Sequence, residues 1–600
     1  MIFPKPKEEA YFEGSYKLKE KITDFDVFSL YEKYKDGSAD VTAKKDASIA
    51  GDGYRLSADS GGIKISAGSD AGVFYAAASL KELLFASGGE SVPHCEISDS
   101  PDFERRSYML DISRCRMPKL KILKRYADIL SALKYNEFLM YMENTDCMKY
   151  PAFPELNRDI DCLTPDDIKE LDRYCAERFI DLVPKINCFG HMKAWLALPE
   201  YRHLEVGYPG AHTATINILE EESFELLDRI FSSVIPCFSS EYVDIGMDEA
   251  FGLGKYQLEE ICREKGKDRV FADYLEKICD YVRKKFGKTV IFDSMSVQDS
   301  PHTYDDLPEN IIALNWSYDL IGNSRAERRC IELKKRGIPI CMSCGTANWL
   351  SFTGRFDVMS FNLRTFGELG RRYGARTYNL TDWGCGEGHM HHPVWSMVPA
   401  ALGAQYAWNV GEEQFGEGES FKQDYIYAAQ AYADKYIFGA QISKYLYKLQ
   451  QYYLLEPERI HSSTMCCLMF RKKLTETEYP GFFDLKKCGE DFYFDNVISY
   501  VKKILKDFEN VPCGEFLKRE VINNADMVIL AEELMKIRLH QSVSAEKAAY
   551  LTALIDKIAD EYKLLWQRLN FDKGMEDFLS QLEDKKKELA KMLLRGDNND

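Results

Sequence analysis

Short apolar runs alternate with amphipathic stretches through the middle of the chain. The eight runs span residues 107–112, 138–142, 181–187, 242–246, 289–295, 311–316, 338–343 and 376–381. Between several of them apolar residues recur every three to four positions, which is typical of helices with one buried face. Eight strands with intervening helices in about 300 residues predict a (β/α)8 barrel, with a doubly wound open sheet as the alternative. The stretch 296–310, rich in Pro, Asp and Ser, predicts one irregular crossover.

Different patterns flank this region. Before it, alternating runs at 54–58 and 62–67 precede an amphipathic stretch at 70–86, which predicts a small α/β domain over residues 1–100. The barrel is expected over 101–410. After it, long helical periods such as 545–567 and 576–594 predict an all-helical domain over 411–600. That domain could form a homodimer, cap the active site, or do neither.

Composition and charge narrow the function classes. Of the 600 residues, 45% are hydrophobic and 29% charged, which excludes a disordered scaffold. With 78 basic and 96 acidic residues the net charge is −18, so we expect no nucleic-acid partner. No run of 18 apolar residues and no basic-then-apolar start is present, so we expect no membrane association and a cytoplasmic location. Seventeen scattered cysteines indicate reduced, structural thiols.

Two adjacent acids lie one residue beyond the end of the fourth run. Catalytic groups of such barrels lie at the carboxyl ends of the strands, where Asp248 and Glu249 are expected. A partly buried Glu beside an ionised Asp has a raised pKa, which suits a general acid. By itself, such a pair is more often an exposed loop dipeptide or a helix cap.

Aromatic and histidine residues follow the later runs. Three tryptophans, Trp316, Trp349 and Trp383, come at or just after runs six, seven and eight, where aromatic faces could pack on a sugar ring or simply fill the barrel top. A cluster of His389, His391 and His392 beside Asp382 and Glu387 raises a metal site as a competing interpretation. No His-x-His follows the first run, so we expect no metal. No complete dinucleotide fingerprint and no Gly-Lys-Ser/Thr phosphate loop occur, so we expect no organic cofactor. Substrate contact by these histidines stays open.

Three segments carry a resemblance to a known family. Residues 106–114 resemble the opening barrel strand of glycoside hydrolase family 20, the β-N-acetylhexosaminidases, in which the first arginine binds sugar hydroxyls. Residues 183–191 are similar to its third-strand motif ending in Gly-His, and residues 245–249 to its Asp-Glu signature. Segments 53–56 and 69–75 resemble the small domain that precedes this barrel. The resemblance extends over roughly residues 50 to 410 and implies the same two-domain core.

The chain also departs from the family pattern. Asp244 replaces the usual histidine, Met247 replaces the second glycine of the signature, and Asn144, after Glu143, stands where an acid is usual. These features resemble a divergent intracellular branch similar to hexosaminidase D, as do the segments 141–145, 345–349 and 382–384.

The resemblance implies release of terminal β-linked GlcNAc or GalNAc from small glycans or glycoconjugate fragments, with retention and with the sugar's own acetamido group as nucleophile. Glu249 would be the acid and base, and Asp248 would hold the acetamido N–H. The implied sugar-binding residues are Arg106, Glu143, Asn144, His191, Trp316, Trp349, Asp382 and Trp383. Two alternatives stay open: a catalytically silent sugar-binding protein, and a glycosidase for a sugar without an acetamido group that uses Asp248 or Glu143 as nucleophile.

Overall fold

A computed structural model describes residues 2–293, 305, 307–319, 323–386, 388–411 and 423–596. Most of the predicted irregular crossover and Glu387 lie outside these residues. Within them, no helix is both long and apolar enough to cross a membrane.

The N-terminal part is a five-stranded sheet covered by two helices. Its elements are β1 (Glu8–Lys17), α1 (Val27–Tyr34), β2 (Val41–Lys45), β3 (Tyr54–Asp59), β4 (Gly62–Ala67), α2 (Asp70–Ala86) and β5 (Ser91–Asp99). The strand order is β1-β5-β3-β4-β2. The Ser69 side chain caps α2 by accepting a hydrogen bond from the Gly72 amide, so the helix begins where the amphipathic pattern begins.

Eight parallel strands form a closed barrel, as predicted. They are β6 (Arg105–Asp111), β7 (Glu137–Tyr141), β8 (Asp181–Lys185), β9 (Tyr242–Asp244), β10 (Thr289–Asp293), β11 (Ile311–Trp316), β12 (Ile340–Gly345) and β13 (Thr377–Asp382). The last strand pairs with the first, Thr377 lying opposite Arg105. Strands β6, β7 and β12 are buried on both faces, and β7 and β12 accordingly consist mostly of apolar residues.

The barrel helices are α3 (Leu120–Ala132), α4 (Pro165–Ala176), α5 (Lys193–Leu196), α6 (Glu221–Val234), α7 (Glu259–Lys265), α8 (Lys267–Phe286), α9 (Asn323–Lys335), α10 (Phe356–Tyr373) and α11 (Val394–Trp408). The start of α4 is fixed by reciprocal hydrogen bonds between Thr164 and Asp167. All of α11 is buried, because it packs between the barrel and the helices that follow it.

The C-terminal part is helical, as predicted, apart from one two-stranded ribbon. Its helices are α12 (Gln423–Tyr432), a π-helical turn (Ala433–Phe438), α13 (Ser443–Leu449), α14 (Met465–Phe470), α15 (Leu485–Cys488), α16 (Asp491–Phe508), α17 (Glu515–His540), α18 (Ala545–Leu569) and α19 (Met575–Gly596), and its ribbon joins β14 (Glu478–Tyr479) to β15 (Phe483–Asp484). Helix α17 packs against α14, α16 and α18 and is the centre of this layer.

Candidate active site

The carboxyl ends of the barrel strands surround a cavity of ≈ 450 Å³. Its wall brings together four kinds of side chain: acids, bases, aromatic rings and small polar groups. The main ones are Arg114, Lys185, His191, Asp248, Glu249, Asp293, Trp316, Tyr318, Trp349, Thr381, Trp383, His461 and Ser462.

A strained turn after β9 carries the two adjacent acids. Gly246, Met247 and Glu249 have φ angles of 65°, 85° and 47°. These lie in the left-handed region, which residues other than glycine rarely adopt. The turn is held from β10, since the Asp293 amide donates to the Gly246 carbonyl at 2.6 Å. A neighbouring loop packs tightly on it: a Cβ at Gly190 would lie 2.0 Å from the Asp248 carbonyl oxygen. The Gly-His segment is thus shaped to meet the acid pair.

His191 contacts both acids. Its Nε2 atom lies 3.4 Å from Asp248 Oδ2 and 3.2 Å from Glu249 Oε2. Burial alone would lower the pKa of His191, but the Asp248 charge and hydrogen bonds to both acids outweigh it and raise this pKa to about 10. Burial alone would raise the pKa of Asp248, but the charge and hydrogen bond of His191 bring it below its ordinary value. At neutral pH the pair is therefore an imidazolium and a carboxylate.

The two acids differ in depth. The Asp248 side chain is 12% exposed and the Glu249 side chain 37%, so Asp248 lies on the inner wall and Glu249 nearer the solvent. The buried oxygen Asp248 Oδ1 has no hydrogen-bond partner among the described residues. It is a ready acceptor for a donor group that enters the cavity.

A buried ion pair lies behind the acids. Lys185 Nζ is 3.1 Å and 3.0 Å from the two carboxylate oxygens of Asp244, which also accepts the Gly246 amide at 2.9 Å. Burial would lower the pKa of Lys185, but the neighbouring aspartates, Asp244 first, raise it. The aspartate at position 244, where the family has histidine, thus has its own cationic partner.

Arg106 is not in the cavity, so that prediction is wrong. It lies near the amino end of β6, is 1% exposed, and donates to the carbonyl oxygens of Lys134 (2.8 Å) and Phe103 (3.0 Å). Its guanidinium also pairs with Asp52 of the N-terminal domain at 3.2 Å. Because catalytic groups sit at the opposite end of the strand, the arginine of the site is Arg114, in the loop after β6.

Arg114 is held by Glu143, which lies just after β7. Its Nε atom donates to Glu143 Oε2 at 2.9 Å, and Glu143 also accepts the Tyr141 hydroxyl at 2.6 Å. The guanidinium lies 4.9 Å from the centre of the Trp383 ring. Glu143 is therefore bound to Arg114, which lines the cavity, and the Nδ1 atom of cavity-lining His191 is 4.0 Å from its carboxylate.

Four aromatic rings form one side of the cavity. The three predicted tryptophans all line it and are joined by Tyr318, which sequence patterns missed. The Tyr318 ring stacks on Trp316 at 5.0 Å and 17° and meets Trp349 edge-on at 5.0 Å. Gly345 makes this possible, because a Cβ there would lie within 2.9 Å of both the Trp349 and Tyr318 rings.

Two further predicted residues lie behind the wall instead of in it. Asp382 is fully buried and accepts hydrogen bonds from Tyr108 (2.9 Å) and Thr346 (3.2 Å), so it braces the strand ends. The Asn144 side-chain amide donates to the Ser113 carbonyl at 2.8 Å, and Asn144 does not line the cavity. Neither side chain is placed to contact a sugar in this cavity.

The histidine cluster belongs to the domain interface. His392 Nε2 lies 2.8 Å from Asn523 Oδ1 of α17, and the Tyr562 hydroxyl of α18 donates to the His389 carbonyl. The His389 and His391 rings are 4.2 Å apart. All three are buried, and burial lowers the pKa of each. They pack the helical domain onto the barrel.

One group of potential metal ligands occurs among the described residues, away from the cavity. Its members are Glu456, Cys466 and Glu532, with ligand atoms within 4.8 Å of one another. Burial raises the pKa of both carboxyls. The Glu456 carboxylate already accepts the backbone amides of Met465 and Cys466, each at 2.9 Å, which anchors the start of α14.

Comparison with known proteins identifies relatives of the first two domains. The family model described as glycosyl hydrolase family 20, catalytic domain, matches residues 103–375, and the one described as domain 2 of the same family matches residues 17–100. A beta-hexosaminidase of Vibrio furnissii is 29% identical over 36% of this chain and 40% of its own length. One of Porphyromonas gingivalis is 26% identical over 40% of this chain and 35% of its own. The chain thus aligns with less than half the length of these relatives.

Solved structures share the fold. A β-N-acetylhexosaminidase of Bacteroides fragilis superposes with a TM-score of 0.58 and 20% identity, over 72% of this chain and 95% of its own. A chitobiase of Flavobacterium johnsoniae gives a TM-score of 0.57 and 17% identity over 97% of this chain and 99% of its own. The second likeness extends over the C-terminal helices as well as the barrel.

Proposed function

Since the chain belongs to glycosyl hydrolase family 20, we propose that it is a glycosidase that removes a terminal β-linked N-acetylhexosamine, GlcNAc or GalNAc, from small glycans or glycoconjugate fragments. The observation that carries the proposal is the depth difference between the acids. An ionised Asp248 lies inside the cavity and Glu249 lies nearer its mouth, both against a protonated His191.

In the first step, the carbonyl oxygen of the sugar's 2-acetamido group attacks C1. The bond from C1 to the leaving oxygen breaks as Glu249 gives that oxygen a proton. The product is a cyclic oxazolinium ion, whose positive charge is shared by the ring nitrogen. Asp248 accepts the N–H of this group and stabilises its charge.

In the second step, water attacks C1 from the side that the leaving group vacated. Glu249 takes a proton from this water, the oxazolinium ring opens, and the acetamido group is restored. Two inversions at C1 give overall retention. No carboxylate nucleophile is required, so a single acid and base is enough.

The geometry of Asp248 suits the role of accepting the acetamido N–H and stabilising the positive charge. Its Oδ1 atom has no partner among the described residues, and His191 keeps the carboxylate ionised. A carboxylate held in advance at the position where positive charge develops costs no rearrangement during the reaction. The aromatic side of the cavity offers faces for the C–H groups of the sugar ring.

Nitrophenyl glycosides test the proposal. Wild type, Asp248→Asn and Glu249→Gln are assayed with β-GlcNAc, β-GalNAc, β-glucose and β-galactose substrates. We expect wild type to act only on the acetamido sugars, and each variant to lose about 10²- to 10⁴-fold in kcat. Asp166→Asn, at a side chain that is 96% exposed in the first turn of α4, is the control. A thiazoline analogue of the cyclic intermediate should inhibit wild type strongly.

Two results would contradict the proposal in different ways. Turnover of glucosides or galactosides at comparable rates would remove the role given to Asp248. Binding of GlcNAc by calorimetry without turnover of any substrate would favour a silent sugar-binding protein.

We also propose a cytoplasmic location. No disulfide joins any of the seventeen cysteines, all of which are among the described residues, and this suits a reducing compartment. Fractionation of cells that express the untagged protein tests this, since recovery with extracellular or periplasmic markers would contradict it. A homodimer stays a prediction, to be tested by light scattering.

A further inference from the structure

Two residues of the C-terminal helical part reach the cavity. His461 and Ser462 lie between α13 and α14 and line the same cavity as the catalytic pair. Of the three possibilities expected for this domain, capping of the barrel is the one that the contacts support.

The segment that carries them is anchored at both of its faces. Toward the barrel, the Thr464 amide and the Ser463 hydroxyl both donate to the Leu350 carbonyl, at 3.1 Å and 3.0 Å. Toward the helices, Glu456 accepts two amides at the start of α14. Since Leu350 follows Trp349 directly, the segment is fixed against the aromatic side of the cavity.

A shared carboxylate orients the two side chains. Asp319, just after β11, lies 3.1 Å from His461 Nε2 and accepts the Ser462 hydroxyl at 2.6 Å. Its other oxygen accepts from buried Arg355 at 3.1 Å. No hydrogen bond to the Nδ1 atom of His461 occurs among the described residues. The ring is therefore held at one nitrogen while Nδ1 is available to a ligand.

These groups lie at the mouth of the cavity. The His461 side chain is 63% exposed, more than Glu249 at 37% and much more than Asp248 at 12%. A sugar with its acetamido group at Asp248 and its cleaved bond at Glu249 must direct the rest of the substrate outward, past this mouth.

We infer that His461 and Ser462 form the binding site for the leaving group, and that this group is rich in hydroxyls, such as a second sugar unit. The inference rests on the proposed function. The His461 imidazole, which is paired with a carboxylate, and the neighbouring Ser462 hydroxyl can both form hydrogen bonds with sugar hydroxyls. The C-terminal domain would thereby determine which glycans are accepted.

Two substrates with the same terminal sugar test the inference. The kcat/KM values are measured for the β1,4-linked GlcNAc disaccharide and for nitrophenyl β-GlcNAc, with wild type, His461→Ala and Ser462→Ala. We expect the kcat/KM for the disaccharide, divided by that for nitrophenyl β-GlcNAc, to fall about tenfold in His461→Ala, as for the loss of one hydrogen bond. In Ser462→Ala the same ratio should fall about threefold, as for the loss of a weaker one. The thiazoline analogue corresponds to the terminal sugar without the leaving group, so its inhibition constant should change less than twofold in either variant.

His540→Ala is the matched control. His540 is also an exposed histidine of the helical part, paired with Asp491 at 2.8 Å, but it is outside the cavity-lining set. Its ratio should equal that of wild type.

The outcomes separate this inference from the proposed function. If wild type cleaves neither substrate, the proposed function is wrong and the inference falls with it. If wild type cleaves the nitrophenyl glycoside but not the disaccharide, or if His461→Ala keeps the wild-type ratio, the inference alone is overturned.

Discussion

The Lys185 ammonium lies 3.0 Å and 3.1 Å from the two carboxylate oxygens of Asp244, and both side chains are buried. This pair ties the end of β8 to the end of β9, immediately before the turn that carries Asp248 and Glu249. Asp244 also accepts the Gly246 amide, so the ion pair and the turn form one hydrogen-bonded unit.

Breaking the pair should destabilise the barrel. Lys185→Met leaves a buried, unpaired carboxylate, for which we expect a loss of about 3–5 kcal/mol in the free energy of unfolding. The double variant Lys185→Met/Asp244→Asn should be more stable than Lys185→Met, since Asn can still accept the Gly246 amide. Denaturant unfolding followed by tryptophan fluorescence measures both.

An exposed pair supplies the control. Lys169 and Asp166 are 3.8 Å apart with side chains 48% and 96% exposed, and Lys169→Met should change stability by less than about 0.5 kcal/mol. A double variant no more stable than Lys185→Met would contradict the coupling of Lys185 to Asp244.

Substitutions of the two arginines near the first barrel strand should have different effects, one on stability and the other on activity. Arg106→Met removes a buried guanidinium that donates to main-chain carbonyls, so we expect a loss of about 2–4 kcal/mol with little change in KM of the folded enzyme. Arg114→Met should leave the melting temperature within a few degrees and lower kcat/KM at least tenfold. Melting curves and kinetics on nitrophenyl β-GlcNAc test the contrast, and an Arg106→Met enzyme of normal stability with raised KM would contradict it.

That contrast shows what sequence patterns can and cannot reveal. The eight barrel strands were predictable because most of them carry a short apolar run, and the Asp-Glu pair because it lies one residue beyond such a run. Arg106 and Arg114 are eight residues apart, and only the strand ends tell which one faces the cavity. The motif locates the strand but not its ends. Because β6 runs from Arg105 to Asp111, Arg106 lies at its amino end, whereas Arg114 follows its carboxyl end, where the cavity is.

Each residue that the sequence analysis missed has its own cause. Tyr318 follows a predicted strand by two positions and could have been found by extending the search past Trp316. Lys185 gave no signal, since a lysine at the end of a strand reads as exposed until Asp244 is known to lie beside it. His461 comes from a different domain, about 210 residues from Glu249, and only the packing of the helical part on the barrel brings it to the site.

The two acids should respond differently to the leaving group. Glu249→Gln cannot give a proton to the departing oxygen, so its loss should be at least 10²-fold with nitrophenyl β-GlcNAc and about tenfold or less with the dinitrophenyl glycoside, whose phenolate leaves unprotonated. Asp248→Asn acts on the acetamido group, so its loss should be similar for both substrates. Pre-steady-state kinetics separate bond cleavage from hydrolysis of the intermediate, and equal sensitivity of both variants to the leaving group would contradict the division of roles.

The pH dependence of stability should report the charge on His191. Its pKa in the folded protein is about 10, against an ordinary value of 6.5, so its interaction with the acids stabilises the fold fully below pH 6.5. That contribution is lost progressively as pH rises from 6.5 to about 10. Relative to His191→Gln, wild type should therefore lose on the order of 4 kcal/mol of unfolding free energy across this range, and the difference should be nearly flat between pH 5 and 6.5. Asp248 stays ionised over the whole interval because its pKa is lowered.

Denaturant unfolding at half-unit steps from pH 5 to 10 makes the measurement, with His540→Gln as the control for effects of pH on the rest of the chain. A difference between wild type and His191→Gln that does not vary with pH would mean that His191 is not held as an imidazolium by Asp248 and Glu249.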